Sequence, residues 1–248
     1  SRGPTPLNNL KPDVSAPGVL ICAAQWNGWL SAYRCYDQRH IAISGTSMAT
    51  PHVAGAAALL LQLHRNWTPD MVKSSLVSTS KDLGLNAYTQ GGGRIDVFRA
   101  SQAIISLHPA VISFGPVTNP NLSQAITIQN LLSESINITI AVPNATELSG
   151  RTVNISSVNQ TTLAVAAGAN LTVNLSVSIG SEEGTFYGYI NFSAGNSTYR
   201  AVYGFVRLSK VTVTLYDGTK ILRPFIAGIH NINFSTIKSV FYPGVNFT

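Results

Sequence analysis

The chain has 248 residues, enough for one large domain or two small ones. Only 10% of the residues are charged, and the formal net charge of +6 comes from scattered basic residues. No stripe of Lys and Arg alternates with aromatic residues, so no nucleic-acid partner is expected. The longest apolar run, residues 53–61, is too short to span a bilayer.

Residues 1–106 predict a mixed α and β structure. Residues 52–64 are apolar on nearly every face, which predicts a helix buried in a core. A second helix follows, with Thr68 as its N-cap, Pro69 at its first position and Asp70 in its first turn.

Three consecutive glycines, Gly91, Gly92 and Gly93, predict a flexible turn, and a third short helix is expected at residues 97–105. From residue 107 the pattern changes to alternation of apolar and polar residues, as in residues 136–140 and 171–179. Such strands, separated by turn residues, recur to about Leu208 and favour an antiparallel β-sandwich at residues 107–208. Residues 209–248 begin another β domain or extension, with a strand at residues 211–215.

Ser47 lies at the start of the long apolar helix and is the candidate nucleophile. A serine hydroxyl is a poor nucleophile unless a base takes its proton. A helix start holds the side chain on a rigid element and directs free backbone N–H groups at a developing oxyanion.

Residues 45–55 (GTSMATPHVAG) closely resemble the nucleophile signature of the subtilisin-like serine proteases, the subtilases. Residues 11–18 (KPDVSAPG) resemble the strand and turn before that signature, and residues 66–68 and 92–100 resemble the family's last two helical segments. The resemblance covers residues 1–106. It implies the C-terminal portion of a subtilisin-like α/β catalytic domain, followed by a fibronectin III-like sandwich.

The resemblance also implies the roles of individual residues. Ser47 is expected to be the nucleophile and to donate its backbone N–H to the oxyanion, while Gly45 allows close approach of the substrate and Thr46 and Met48 line the site. Because the family order is Asp, His, Ser, both partners and the Asn of the oxyanion hole are expected upstream of Ser1. The expected partners are polypeptide substrates and the N-terminal remainder of the same protease. No cofactor is required, and any structural calcium ion is expected in that missing part.

None of the five histidines fits as the base. His52 corresponds to a structural histidine of the family, and His40 is expected at the surface. His64 ends the long helix, where a cation complements the helix dipole. His108 and His230 fall in the β regions.

Asp13 is expected to be a buried structural carboxylate. A weak cation site near its strand is the less favoured alternative, so no metal ligand is assigned.

Twelve Asn-x-Ser/Thr sequons indicate an extracellular or cell-surface protein. Asn66 abuts Trp67 at a helix start and is expected to be bare. The sites expected to carry glycans are Asn121, Asn137, Asn144, Asn154, Asn159, Asn170, Asn174, Asn191, Asn196, Asn233 and Asn246.

The two cysteines, Cys22 and Cys35, flank an insert-like hairpin at residues 23–34. A reactive thiol is one interpretation. In an extracellular protein, a disulfide is favoured for a pair this close.

The leading hypothesis is a secreted or cell-surface serine endopeptidase that acts through an acyl-enzyme on Ser47. In this hypothesis the chain alone is inactive, and the sandwich packs on the protease or binds a cell-surface or assembly partner. The alternative is a catalytically inactive, subtilase-derived structural glycoprotein of the surface. The intact Gly45-Thr46-Ser47 favours the enzyme, because an inactive relative has no chemical need for the serine.

Overall fold

The computed structural model describes residues 1–26, 31–119, 121–153, 156–157, 161–178, 183–208, 215–216 and 221–222. Residues 1–208 belong to one compact unit and residues 209–248 to a second. In the second unit, β14 (Leu215–Tyr216) pairs antiparallel with β15 (Ile221–Leu222). The expected strand at 211–215 lies outside the described residues except for Leu215. The predicted division at residues 106 and 107 stays a prediction.

The first unit opens with an antiparallel hairpin of β1 (Ile21–Ala24) and β2 (His40–Ile43), with one 3-10 turn, Ser31–Tyr33, between them. Four helices follow among the described residues: α1 (Thr46–Leu63), α2 (Pro69–Ser78), α3 (Ala87–Gln90) and α4 (Val97–Ser101).

Helix α1 is not buried on all faces. The prediction that the apolar helix at residues 52–64 is buried in a core was therefore wrong for the described part of the chain. Only Ala56 and Leu60 are buried, whereas Leu59 is 53% exposed and Leu63 is 65% exposed. Val53 and Ala57 are partly buried against the core, so one face of α1 is packed and the face that carries Leu59 and Leu63 is largely exposed in the part of the chain that the structure describes.

Helix α2 begins as predicted. The Thr68 hydroxyl accepts a hydrogen bond from the backbone N–H of Met71 at 3.3 Å, and Pro69 occupies the first helical position. The helix packs against β3 (Ile105–His108), and the Leu107 N–H donates to the Ser74 hydroxyl at 2.6 Å.

The third predicted helix is shorter than expected. It ends at Ser101, and Ile105 instead begins β3. Ile105 and Leu107 are both buried. β3 pairs antiparallel with residues 127–130, the end of a long strand of the β structure that follows. Pairing with that distant strand decides the conformation of residues 105–108.

Residues 105–207, here called the β region, form two sheets. The strands after β3 are β4 (Val111–Val117), β5 (Asn121–Asn130), β6 (Ile136–Ala141), β7 (Ala145–Glu147), β8 (Thr152–Val153), β9 (Ser156–Ser157), β10 (Thr161–Val165), β11 (Asn170–Ser178), β12 (Gly184–Ala194) and β13 (Ser197–Arg207). Among the described residues, one sheet has the order β10-β6-β12-β13-β4, with β7 beside β12 and β8 beside β7. The other sheet has the order β3-β5-β11-β9.

The pairing in the two sheets is antiparallel with one exception. β13 and β4 run parallel, which corrects the purely antiparallel prediction. A parallel pair needs a long connection rather than a tight hairpin, and here the whole β5–β12 stretch provides it. The two sheets share apolar core residues, and Ile126 of one lines the same cavity as Ile190 and Phe192 of the other.

Alternation along β11 follows the predicted parity. Leu175 and Val177 are buried, while Asn170 and Asn174 are exposed on the opposite face. Asn137 is likewise exposed beside buried Ile138 in β6.

Among the described residues, no helix is both long and apolar enough to cross a membrane.

Candidate active site

Ser47 occupies the second position of α1, immediately after the turn at Gly45. Its side chain is exposed, as is that of Thr46, whereas Met48 is half-buried. The predicted site residues Gly45, Thr46, Ser47 and Met48 are thus consecutive on one turn.

The start of α1 has backbone donors available. The Gly45 carbonyl accepts from the N–H groups of Met48 at 3.0 Å and Ala49 at 3.3 Å, and no side chain caps the helix. The N–H groups of the first positions of a helix have no intrahelical acceptor. With the positive end of the helix dipole behind them, they suit an anion forming next to Ser47.

A second segment holds the turn from behind. The Gly45 N–H donates to the Gly18 carbonyl at 2.7 Å, and the Leu20 N–H donates to the Ser44 hydroxyl at 2.8 Å. A Cβ on Gly18 would lie 2.7 Å from the Gly45 oxygen and 3.2 Å from the Ala49 Cβ. Glycine is therefore required at position 18 so that the two backbones can approach each other.

Gly45 itself is not required by contacts within the chain. A Cβ there would meet its nearest described atom, the Met48 sulfur, at 3.7 Å, which is an ordinary van der Waals contact. The approach of a substrate carbonyl to Gly45 stays a prediction.

Each described histidine has a partner other than Ser47. His52 Nδ1 lies 2.9 Å from the Met48 carbonyl and its side chain is exposed. His40 Nδ1 lies 2.7 Å from Asp37. His64 Nε2 lies 2.9 Å from the Ser101 carbonyl, with its ring stacked on Trp67. His108 pairs with Asp70 at 3.6 Å.

His230 lies outside the described residues. The structure brings none of the described imidazoles to the Ser47 hydroxyl.

Asp13 is only half-buried, and two lysines compensate its charge. Lys11 lies 2.9 Å and Lys73 3.0 Å from its carboxylate oxygens. Burial raises the pKa of Asp13, but the hydrogen bonds and charges of the two lysines outweigh burial and hold the pKa below its ordinary value. Among the described residues, no cluster of His, Cys, Asp or Glu is arranged to hold a metal ion.

The predicted pairing of Cys22 with Cys35 is present as a disulfide, with a Cα–Cα distance of 5.9 Å. The bond ties β1 to the connection before β2. Because β2 runs directly into Ser44 and Gly45, the crosslinked hairpin ends at the nucleophile turn.

Two groups of contacts escaped the sequence analysis. One is the packing of Gly18 against Gly45, for which the Pro-Gly at positions 17–18 was the available signal. The other links the β region to the glycine turn through Tyr189 and Arg200. The available signal for the second group was Arg200 itself, a charged residue inside the largely apolar strand β13.

Residues 1–94 match the model of the subtilase family of peptidases. The subtilisin-like protease SBT3.6 of Arabidopsis thaliana is 49% identical over 82 residues, which are 32% of this chain and 10% of that protein. SBT1.7 of the same plant is 37% identical over 139 residues, which are 53% of this chain and 18% of that protein. The chain therefore spans only a small part of the length of these relatives.

Among solved structures, a PapD-like domain of human CEP192 matches 44% of this chain and 87% of its own length, at 7% identity and a TM-score of 0.36. A similarity this weak supports no conclusion about the β region.

Proposed function

We propose that this chain, whose residues 1–94 match the model of the subtilase family, is part of a secreted or cell-surface serine endopeptidase. Ser47 attacks the carbonyl carbon of a peptide bond and passes its proton to a histidine supplied from upstream of Ser1. The acyl-enzyme then forms as the leaving amine takes that proton, and water hydrolyses the acyl group.

The observation that carries this proposal is the geometry of the turn at residues 45–48. An exposed serine hydroxyl stands beside open backbone N–H groups at the start of an 18-residue helix. These are the nucleophile and one half of an oxyanion hole on one rigid element. The base, the orienting carboxylate and the second oxyanion donor belong, in this proposal, to the N-terminal remainder of the protease.

The extracellular location rests on the sequons and the disulfide. The Asn side chains of the described sequons in the β region are exposed at positions 121, 137, 144, 170, 174 and 196 and half-buried at 191, so most of them are accessible to modification. We further assign the two sheets to a fibronectin III-like accessory sandwich, supported by their common apolar core.

The test is labelling of the full-length protein with a fluorophosphonate probe, followed by peptide mapping and a casein cleavage assay. We expect an adduct on Ser47 and casein cleavage, both abolished in Ser47→Ala. In subtilisin, loss of the nucleophile or its base lowers turnover by about a million-fold. Residues 1–248 alone should label far more slowly, because the base of this proposal lies upstream of Ser1.

The matched control is Ser101→Ala, a half-buried serine whose hydroxyl donates to the Phe98 carbonyl within α4. It should label like the unmodified protein. Full-length protein that neither labels nor cleaves casein would favour the inactive surface glycoprotein instead.

A further inference from the structure

The turn at Gly91, Gly92 and Gly93 is buried. Gly91 has φ of 64° and a Cβ there would collide with the carbonyl of Asp13, while Gly93 has φ of 131° and a Cβ there would collide with the carbonyl of Lys81. Both positions lie in backbone regions that favour glycine. The three glycines thus let the turn press directly against neighbouring backbone.

The glycine turn pairs with the segment that leads to the nucleophile turn. The Gly92 N–H donates to the Asp13 carbonyl at 2.9 Å, and the Ser15 N–H donates to the Gly93 carbonyl at 2.8 Å. The Ser15 hydroxyl adds a bond to the Gln90 carbonyl at 3.1 Å. Three residues after Ser15, Gly18 holds the Gly45 N–H and packs on Ala49.

Two side chains of the β region hold the other side of the glycine turn. The Tyr189 hydroxyl of β12 donates to the Gly91 carbonyl at 3.2 Å and accepts from the buried Gln90 amide at 3.0 Å. The Arg200 guanidinium of β13 donates to the Gly92 carbonyl at 2.6 Å. Hydrogen bonds from a charged donor are stronger than neutral ones.

Arg200 is itself fixed in place. Its other terminal nitrogen lies 2.9 Å from the Asp82 carboxylate, its guanidinium carbon lies 4.7 Å from the centre of the Tyr189 ring, and its side chain is 16% exposed. Burial raises the pKa of Asp82, but hydrogen bonds from Gln90, the Gly84 N–H and Arg200 outweigh burial and hold the pKa below its ordinary value. The carboxylate is therefore kept ionised opposite Arg200.

We propose that Tyr189 and Arg200 are positioning residues for Ser47, acting through the glycine turn and the segment at residues 13–18. The β region is then part of the machinery that places the nucleophile rather than only a spacer. This inference rests on the proposed function for its catalytic consequence. Small displacements of a reacting group lower rates strongly, because the reacting atoms must be held within a narrow range of distances.

The experiment compares Tyr189→Phe and Arg200→Gln with unmodified full-length protein. Two quantities are measured: kcat and KM per titrated active site, and hydrogen exchange of backbone amides in peptides covering residues 14–20 and 44–49. We expect Tyr189→Phe to lower kcat roughly three- to tenfold, the effect of one lost hydrogen bond, with KM within about twofold. Exchange should become faster in both peptides.

Two matched controls separate this role from general stability. Tyr187→Phe removes a hydroxyl two residues away on β12, where the ring packs edge-on against Tyr189. Arg99→Ala removes a bond from α4 to the Thr198 carbonyl of the β region that does not touch the glycine turn. Both should leave kcat per site and exchange at residues 44–49 unchanged.

Unchanged exchange at residues 44–49 in Tyr189→Phe and Arg200→Gln would overturn the inference. So would a loss of activity that disappears when rates are expressed per titrated site, since that result means only fewer folded molecules. If unmodified protein does not react with the probe, the proposed function fails, and the catalytic role fails with it. The exchange data then still decide whether the β region controls the nucleophile turn.

Discussion

Gly18 lets the backbone of residues 17–19 pack closely against the nucleophile turn, because it has no side chain. Any side chain there would contact the Gly45 oxygen and the Ala49 Cβ at distances below normal packing. Both neighbours belong to backbone or to the first turns of α1, so neither can rotate away. A methyl group must therefore push the turn and the helix start.

We expect Gly18→Ala to lower the free energy of unfolding by about 1–3 kcal/mol, the usual effect of overpacking, and to slow probe labelling of Ser47. Denaturant unfolding and labelling rates on the full-length protein measure the two effects. The control is Gly55→Ala, where no described atom lies within 4 Å of the added Cβ. An unfolding free energy for Gly18→Ala equal to that of the control would contradict the close-packing argument.

At the scale of elements, residues 11–15 form an irregular segment with one β-bridge, from Ser15 to Arg94, and the charge of Asp13 in it is balanced locally. Asp13 receives Lys11 from its own segment and Lys73 from α2, so the carboxylate joins two elements. The pKa of the folded state lies below the ordinary value of 3.8. The ion pairs therefore stabilise the folded state fully above about pH 4, and this stabilisation is lost as the pH falls through the folded-state pKa.

The corresponding prediction is that Asp13→Asn lowers the unfolding free energy near pH 7 by an amount on the order of 1 kcal/mol. The difference from unmodified protein should shrink as the pH falls below 3.8 and through the lower folded-state pKa of Asp13, because the protonated carboxyl is then neutral, as Asn is. Asp70→Asn, at a side chain 67% exposed, serves as the control and should show a smaller change. A difference that grows on acidification would have the wrong sign.

At the scale of the whole molecule, most sequon Asn residues that the structure describes in the β region are exposed. In β11 a four-residue interval separates Asn170 from Asn174 by roughly 13 Å along the strand, and both are exposed. Two glycans fit side by side at this spacing. With only 10% charged residues in the chain, such glycans would supply solubility that charge does not.

We expect Asn137, Asn170 and Asn174 to carry glycans in protein from its native host, and Asn66 to be bare. Asn66 is exposed, but its neighbour Trp67 is only 9% exposed, which leaves little room at the helix start. Glycopeptide mass spectrometry measures the occupancy of each site. Unmodified Asn at positions 137, 170 and 174 together would refute the prediction.

Local patterns were sufficient for several parts of this protein. The Thr68-Pro69 start of α2, the alternation in β6 and β11 and the pairing of Cys22 with Cys35 follow from residues close in sequence, where a cap, a strand face or a short loop is decided by neighbours. The helix start at Ser47 came from the motif, because the apolar pattern alone predicted a helix at residues 52–64, whereas α1 begins at Thr46.

Other features depended on contacts between residues far apart in the chain. The exposed face of α1 and the strand at residues 105–108 were predicted differently, and the burial of the glycine turn was not predicted. Periodicity reports which face of an element is apolar, but not whether another element covers that face. Arg200 reaches the Gly92 carbonyl across 108 positions of sequence, and only packing in three dimensions brings a strand of the β region to that turn.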